Sequence, residues 1–243
     1  MRLPRWLVDV LLLGLMATTL SAQGRWAKKP WGKWSRDDCR AMLQNSPWAR
    51  TWSEEGLVNT PIGRSSEGTG REQVPEVYYL VQFRSALPVR EAVVREAQLE
   101  NKYEKLDAAR KKALDDSAAN YLARDYSNYI VIHLDFGSNV TEYERDLRHY
   151  WQAFAPDVVP QETYLIDASG RKIAPVRMEV ATGGENAVEF FFPRRSTDGD
   201  LIKPGDKTVA LQFMSPATGS LLAQRAYVQF DPRKMVLDGK TVY

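Results

Sequence analysis

The sequence is poor in the side chains that most often hold metal ions or form disulfides. Its 243 residues include one cysteine, Cys39, and two histidines, His133 and His149. A single cysteine cannot form an intramolecular disulfide. The histidines show no ligand spacing such as CxxC or HExxH. The sequence therefore predicts no metal site, and nothing in it indicates a cofactor.

An excess of charge of one sign is also lacking. The chain has 33 lysines and arginines against 31 aspartates and glutamates, so its formal net charge is +2. Proteins that bind nucleic acid through bulk charge are usually much more basic. No nucleic-acid partner is therefore expected.

Long apolar runs are absent apart from one near the N-terminus, at residues 10–20. That run is shorter than the roughly 20 residues needed to span a bilayer. Arg2 and Arg5 precede it, and Ala22 ends an acceptable cleavage site. We predict a signal peptide over residues 1–22, cleaved near Ala22, and an exported periplasmic or extracellular protein. The alternative is an uncleaved N-terminal anchor.

A basic, tryptophan-rich segment follows the predicted cleavage site. Its cationic and aromatic residues are Arg25, Trp26, Lys28, Lys29, Trp31, Lys33 and Trp34. Alternating charge and rings is typical of segments that contact lipid headgroups or anionic polymers. These residues are the predicted binding site, and the partner classes are an anionic envelope polymer, a lipid surface or another exported protein. The alternative is a flexible terminus without a ligand.

A short helix is predicted after Ser35. Ser35 is a favourable N-cap, and Asp38 lies where a carboxylate can meet free backbone N–H groups. Cys39, Met42 and Leu43 form one apolar stripe at helical spacing. We expect this stripe to dock on the main domain and to bury Cys39. A nucleophilic role for Cys39 is the alternative, but the neighbouring aspartates oppose a low thiol pKa.

The rest of the chain, residues 74–243, is predicted to be one β-rich domain. Apolar and polar residues alternate over 77–83 and 129–136, which indicates strands. Further short strands are predicted at 163–166, 172–180, 187–192, 208–214 and 225–230. Short strands separated by turns favour an antiparallel sandwich. The predicted class is α+β, a mainly antiparallel sandwich-like domain with inserted helices, preceded by the short Trp-rich helical segment at 23–73.

Two inserted helices are predicted within this domain. Residues 88–124 carry a helical pattern, which we interpret as one long helix, with a break at 115–120 as the alternative. A second helix begins near Thr141. Thr141 and Glu144 have the spacing of a capping box.

His133 and Asp135 share one face of a predicted strand and could form a base and its orienter. Side-chain contact between residues two apart on one strand is only marginal. No GxSxG motif supplies a nucleophile, and Cys39 is remote in sequence. No catalytic residue is assigned. The favoured function is a non-catalytic binding or scaffold module, and a hydrolase built around His133 and Asp135 is the alternative.

A group of residues around the short helix resembles a motif of exported bacterial proteins of unknown function. The matching residues are Trp34, Asp38, Cys39, Leu43, Ser46, Pro47, Trp48 and Ala49. Residues 84–92 (RSALPVREA) and 191–195 (FFPRR) are similar to later parts of the same group. The resemblance implies export from a bacterial cytoplasm and implies no activity.

Overall fold

The computed structural model describes residues 25–55, 74–154, 158–181, 185–197 and 199–243. Within these residues the α-helices are α1 (Arg36–Gln44), α2 (Leu87–Glu100), α3 (Ala108–Leu122) and α4 (Thr141–Gln152). Short 3₁₀ helices lie at Arg25–Lys28, Trp31–Lys33, Tyr103–Lys105 and Pro232–Lys234. The strands are β1 (Ala49–Glu55), β2 (Glu76–Phe83), β3 (Tyr129–Ser138), β4 (Tyr164–Ile166), β5 (Lys172–Ile173), β6 (Arg177–Val180), β7 (Ala187–Pro193), β8 (Arg195–Ser196), β9 (Gly199–Asp200), β10 (Val209–Ser215), β11 (Gln224–Phe230), β12 (Val236–Leu237) and β13 (Lys240–Thr241).

Two antiparallel sheets form a sandwich. The larger has the order β1-β2-β3-β7-β6, and the smaller has the order β11-β10-β4-β5. Aromatic rings join their inner faces: Phe83 lies 4.9 Å from Phe230 and Tyr79 lies 4.9 Å from Phe213, centroid to centroid. The predicted α+β, mainly antiparallel, sandwich-like class is confirmed.

The alternation predicted for β2 places its apolar side chains in this core. Val77, Tyr79, Val81 and Phe83 are all buried on the inner face. The strand predicted over 172–180 is instead two strands, because the chain crosses between the sheets after Ile173. Strand β5 belongs to the smaller sheet and β6 to the larger.

Strand β1 is not among the strands that the sequence predicts. It pairs with β2 along its whole length, from Ala49 opposite Gln82 to Glu55 opposite Glu76. Thr51, Ser53 and Glu55 are exposed on the outer face of the sheet, so the sequence of β1 is too polar to stand out as a strand. The N-terminal segment is thereby built into the main sheet.

Helix α1 forms as predicted. The Asp38 N–H donates to Ser35 Oγ (3.3 Å), and the Ser35 N–H donates back to Asp38 Oδ2 (2.9 Å). This is a complete capping box in which an aspartate takes the place of the usual glutamate. Cys39 and Met42 are fully buried, so the predicted docking face is confirmed.

The prediction of one helix over 88–124 is wrong. Helix α2 ends at Glu100, and Lys102 adopts a left-handed conformation with φ of 52°. Asp107 then starts α3, since its Oδ1 accepts a hydrogen bond from the Arg110 N–H (2.8 Å). Because Asp107 caps a new helix, the residues predicted as one helix form two. The alternative break at 115–120 is also wrong, because those residues lie inside α3.

Helix α4 begins at Thr141, but the predicted capping box is absent from it. Val140 occupies the N-cap position, and no side chain caps the helix there. The Glu144 carboxylate instead accepts hydrogen bonds from Arg148 (3.2 Å) and Asn186 (2.7 Å). The Glu144 side chain therefore contacts Arg148 of the same helix and the distant Asn186, and it does not cap the helix.

The described helices are all too short or too polar to cross a membrane. The predicted signal peptide, residues 1–22, lies outside the described residues.

Candidate functional site

The predicted binding segment is packed onto the domain by its tryptophans. Trp26 and Trp34 are only 4% and 3% exposed. The Trp26 ring lies 6.2 Å from that of Trp34 and 5.6 Å from that of Trp48. The Trp34 indole N–H donates to the Trp26 carbonyl (3.0 Å). In this conformation the rings of Trp26 and Trp34 have a structural role and cannot stack on a ligand.

The cations of the same segment divide into two groups. Lys29 Nζ lies 2.7 Å from Asp38 Oδ2, so it is already paired within the protein. The hydrogen bond from Lys29 and those from Ser35 lower the pKa of Asp38 to about 2. Lys28 and Lys33 are exposed, and Trp31 is half-buried against the core.

Only some of the predicted binding residues are therefore exposed to solvent. Lys28, Lys33 and Trp31 remain open to a partner. The side chain of Arg25 lies outside the described residues. The flexible-terminus alternative does not describe residues 26–34, because their aromatic side chains are anchored in the core.

A second polar cluster surrounds His133. Its Nε2 lies 3.1 Å from Asp135 Oδ1, and its Nδ1 lies 3.1 Å from Glu189 Oε1. The contact with Asp135, which we expect to be marginal from the spacing alone, is a full hydrogen bond. Glu189 faces His133 directly across the β3–β7 ladder.

Glu189 was not selected from the sequence as a site residue. The signal that could have found it is alternation within β7, because Phe190 and Phe192 face the core and so place Glu189 on the other face. Its position opposite His133 depends on the β3–β7 register. That register joins residues 56 apart in the chain and cannot be read from local patterns.

The His133 cluster is a hydrogen-bonded group in which the imidazole is buried and Asp135 is partly exposed. Burial disfavours the charged imidazole, but the hydrogen bonds to Asp135 and Glu189 outweigh it and raise the pKa of His133. Burial raises the pKa of Glu189, but the hydrogen bond from His133 outweighs burial, so that the net shift is downward. A protonated imidazole donates through both nitrogens, which matches its two carboxylate neighbours.

This arrangement limits the chemistry that His133 can perform. A general base needs a free nitrogen lone pair, and both ring nitrogens face carboxylates. His133 is also only 6% exposed. Among the described residues, no group of three histidine, cysteine, aspartate or glutamate side chains is arranged to hold a metal ion.

Cys39 is buried as predicted. Its side chain is fully enclosed, and burial raises the pKa of its thiol to about 11. Thiolate is the reactive form, so this cysteine is a packing residue in the folded protein.

No protein-family model, curated protein or solved structure matches this chain. The resemblance to exported bacterial proteins therefore stays a prediction. The structure does show what the motif residues do. Trp34, Cys39, Leu43 and Trp48 are buried around α1, and Asp38 completes its cap.

Proposed function

We propose that the protein is a non-catalytic binding or scaffold module that acts after export. The observation that carries the non-catalytic part is the state of the two most reactive side chains. His133 is held between two carboxylates, and Cys39 is buried with a raised thiol pKa. Both groups stabilise the fold rather than present themselves to a substrate.

The proposed contact surface consists of Lys28, Trp31 and Lys33, and its partner is an anionic polymer or lipid surface of the cell envelope. The two lysines are exposed on a backbone that buried rings hold in place. A held backbone lowers the entropy lost on binding. Charge attracts the surface, and the half-buried Trp31 supplies amphipathic contact area.

The test compares the protein from Gln23 onward with the double variant Lys28→Ala, Lys33→Ala. Each is mixed with phosphatidylglycerol-containing vesicles and, separately, with an acidic polysaccharide, at low and high salt. Each lysine near an anionic surface contributes about 1 kcal/mol, so we expect the double variant to bind at least about tenfold more weakly. High salt should weaken wild-type binding.

The matched control is Lys207→Ala, Lys240→Ala, which removes the same charge from exposed positions elsewhere. Lys29 is left intact because it pairs with Asp38. Equal binding by the two double variants would remove this surface as the site, as would no wild-type binding at low salt.

Export is the second part of the proposal, and mass spectrometry of the chain made in bacteria tests it. A mature N-terminus near Gln23 in the periplasm or medium is expected. An intact Met1 in the membrane fraction would favour the anchor alternative.

The alternative function, a hydrolase around His133 and Asp135, draws on the 3.1 Å contact between their side chains. For His133 to act as a base, Glu189 would have to release Nδ1 or Asp135 would have to release Nε2. An esterase activity that disappears in His133→Gln but persists in the control His149→Gln would support it. His149 is exposed on α4.

A further inference from the structure

Helix α3 forms for local reasons and is left largely uncovered by the rest of the fold. Its sequence is rich in alanine, the best helix former, and Asp107 caps its first turn. None of its side chains is buried. Arg90 of α2 donates hydrogen bonds to the carbonyls of Leu122 (2.6 Å) and Arg124 (3.2 Å). These bonds fix the C-terminal end of α3 against α2.

A groove of about 650 Å³ lies between α2 and α3. This volume is within the range of roughly 300–1,000 Å³ that is usual for small-molecule sites. Val94 is buried although it lies outside the main core, so the groove has an apolar floor of its own. The apolar side chains that line it are Val93, Val94, Ala97, Leu114 and Ala118.

Arg124 lines one end of the groove and carries a charge without a close counter-ion. Its guanidinium lies 4.9 Å from the centre of the Tyr121 ring, and no carboxylate in the part of the chain that the structure describes is within ion-pair distance of it. The neighbouring Tyr126 is the main cause of the raised pKa of Arg124, and Glu189 contributes less. The Glu189 carboxylate is already hydrogen-bonded to His133 (3.1 Å).

Two acids near the groove are occupied by other partners. Asp116, which lines the groove nearer its other end, lies 2.6 Å from Lys112 Nζ. Asp125, next to Arg124, accepts from the Ser127 N–H (2.8 Å). At a helical rise of about 1.5 Å per residue, Asp116 and Arg124 are roughly 12 Å apart. An anionic group is therefore favoured at the Arg124 end and disfavoured at the Asp116 end.

We propose that the groove between α2 and α3 binds a medium-chain aliphatic carboxylate, with its carboxylate on Arg124 and its chain along Val93, Val94 and Leu114. A guanidinium suits a carboxylate, because two parallel N–H groups can donate to both oxygens. Removal of the chain from water supplies the driving force, and the charged group stays at the exposed end of the groove. The proposal does not depend on the surface formed by Lys28, Trp31 and Lys33.

The probe is decanoate, and the control is decylammonium, which has the same chain length and the opposite charge. Binding is measured by isothermal titration calorimetry, below the concentrations at which either compound forms micelles, and by the melting temperature of the protein. We expect decanoate to bind and to raise the melting temperature, because a ligand of the folded state stabilises it. Decylammonium should bind at least about tenfold more weakly.

The matched charge variants are Arg124→Gln and Arg110→Gln. Arg110 is exposed in the first turn of the same helix and does not line the groove. Arg124→Gln should weaken decanoate binding about fivefold and should not weaken decylammonium binding. Arg110→Gln and the double variant Lys28→Ala, Lys33→Ala should bind decanoate as the wild type does.

The matched steric variants are Ala118→Trp and Ala119→Trp. Ala118 lines the groove, whereas its neighbour Ala119 is exposed and does not. An indole at position 118 should fill the space and abolish decanoate binding, and an indole at position 119 should leave binding unchanged. Circular dichroism and the melting temperature check that both variants fold.

Four results would overturn the proposal. Equal affinity for decanoate and decylammonium would mean that the chain binds without the charge. Unchanged decanoate affinity in Arg124→Gln would remove the head-group contact, and no heat of binding by the folded wild type would remove the site. The fourth is a wild-type dimer in sedimentation that Ala118→Trp dissociates and decanoate does not, which would assign the groove to a second copy of the chain.

Discussion

A carboxylate and indole rings lie near each end of strand β1, and the two carboxylates differ in their pairing. At the start of the strand, the indole N–H of Trp48 donates to the Val242 carbonyl, and Asp38 nearby is held by Lys29 and Ser35. At its end, Glu54 Oε2 has no hydrogen-bond partner among the described residues.

The pKa shifts follow this difference. Hydrogen bonds, first of all from Lys29, lower the pKa of Asp38 to about 2, whereas burial alone raises that of Glu54. Composition alone therefore does not distinguish a paired carboxylate from an unpaired one. The distinction depends on which polar groups the fold brings next to each.

The largest expected effect is at the paired end. Trp48→Ala removes a fully buried ring and its hydrogen bond, so we expect the free energy of unfolding to fall by about 3–5 kcal/mol in urea titrations. Trp31→Ala is the control, since Trp31 is only half-buried. A Trp48 variant no less stable than the Trp31 variant would contradict the assignment of this end as the structural one.

The next effect concerns α4, which covers the unpaired end. Tyr143 of α4 receives a hydrogen bond from the Ser220 N–H (2.9 Å) and lies over Gly219. A Cβ on Gly219 would fall 1.9 Å from the Tyr143 ring, and Gly219 has a φ of 56°. Gly219→Ala should cost about 1–3 kcal/mol of unfolding free energy.

Gly239→Ala separates the two causes of that loss. Gly239 also has a positive φ, of 75°, but nothing lies within 4 Å of the added Cβ. It should therefore show the backbone strain without the clash. Equal losses at the two glycines would mean that Tyr143 does not hold α4 in this position.

A smaller effect is expected from Asp38→Asn, about 1 kcal/mol by urea unfolding, because the cap and the Lys29 ion pair weaken. The pKa of Asp38 is lowered from 3.8 to about 2. Its stabilisation is therefore complete above about pH 4 and is lost as the pH falls toward 2. The variant should lack that part of the acid dependence.

The smallest effect, and one of opposite sign, is expected from Glu54→Gln. A raised carboxyl pKa means that the folded state holds its proton to higher pH than the unfolded state. Stability should then fall as the pH rises from the ordinary value of 4.5 through the folded pKa. Melting temperatures of wild type and variant across this range should converge at low pH. Parallel curves would mean that Glu54 has a partner.

The sequence predicts the elements that local chemistry determines. The cap at Ser35 and the alternation in β2 each depend on residues within a few positions. The class of the fold follows from such elements together.

The features that the sequence does not predict depend on pairing between strands that are far apart in the chain. Strand β1 becomes a strand because β2 binds it, and Glu189 joins His133 only through the β3–β7 register. The predicted binding residues show the same limit. Charge and aromatic content identify the segment. Only the structure shows that Trp26 and Trp34 are buried in the core, whereas Lys28 and Lys33 are exposed.

The pairing of β1 with β2 also determines how the protein should respond to a cut backbone. Seven residue pairs, the hydrogen bond from the Trp48 indole to the Val242 carbonyl and the Trp52–Phe213 ring contact join the part before residue 56 to the part after residue 73. A chain cleaved between these positions should stay together as two non-covalent fragments. The two fragments, made separately, should also associate and fold together.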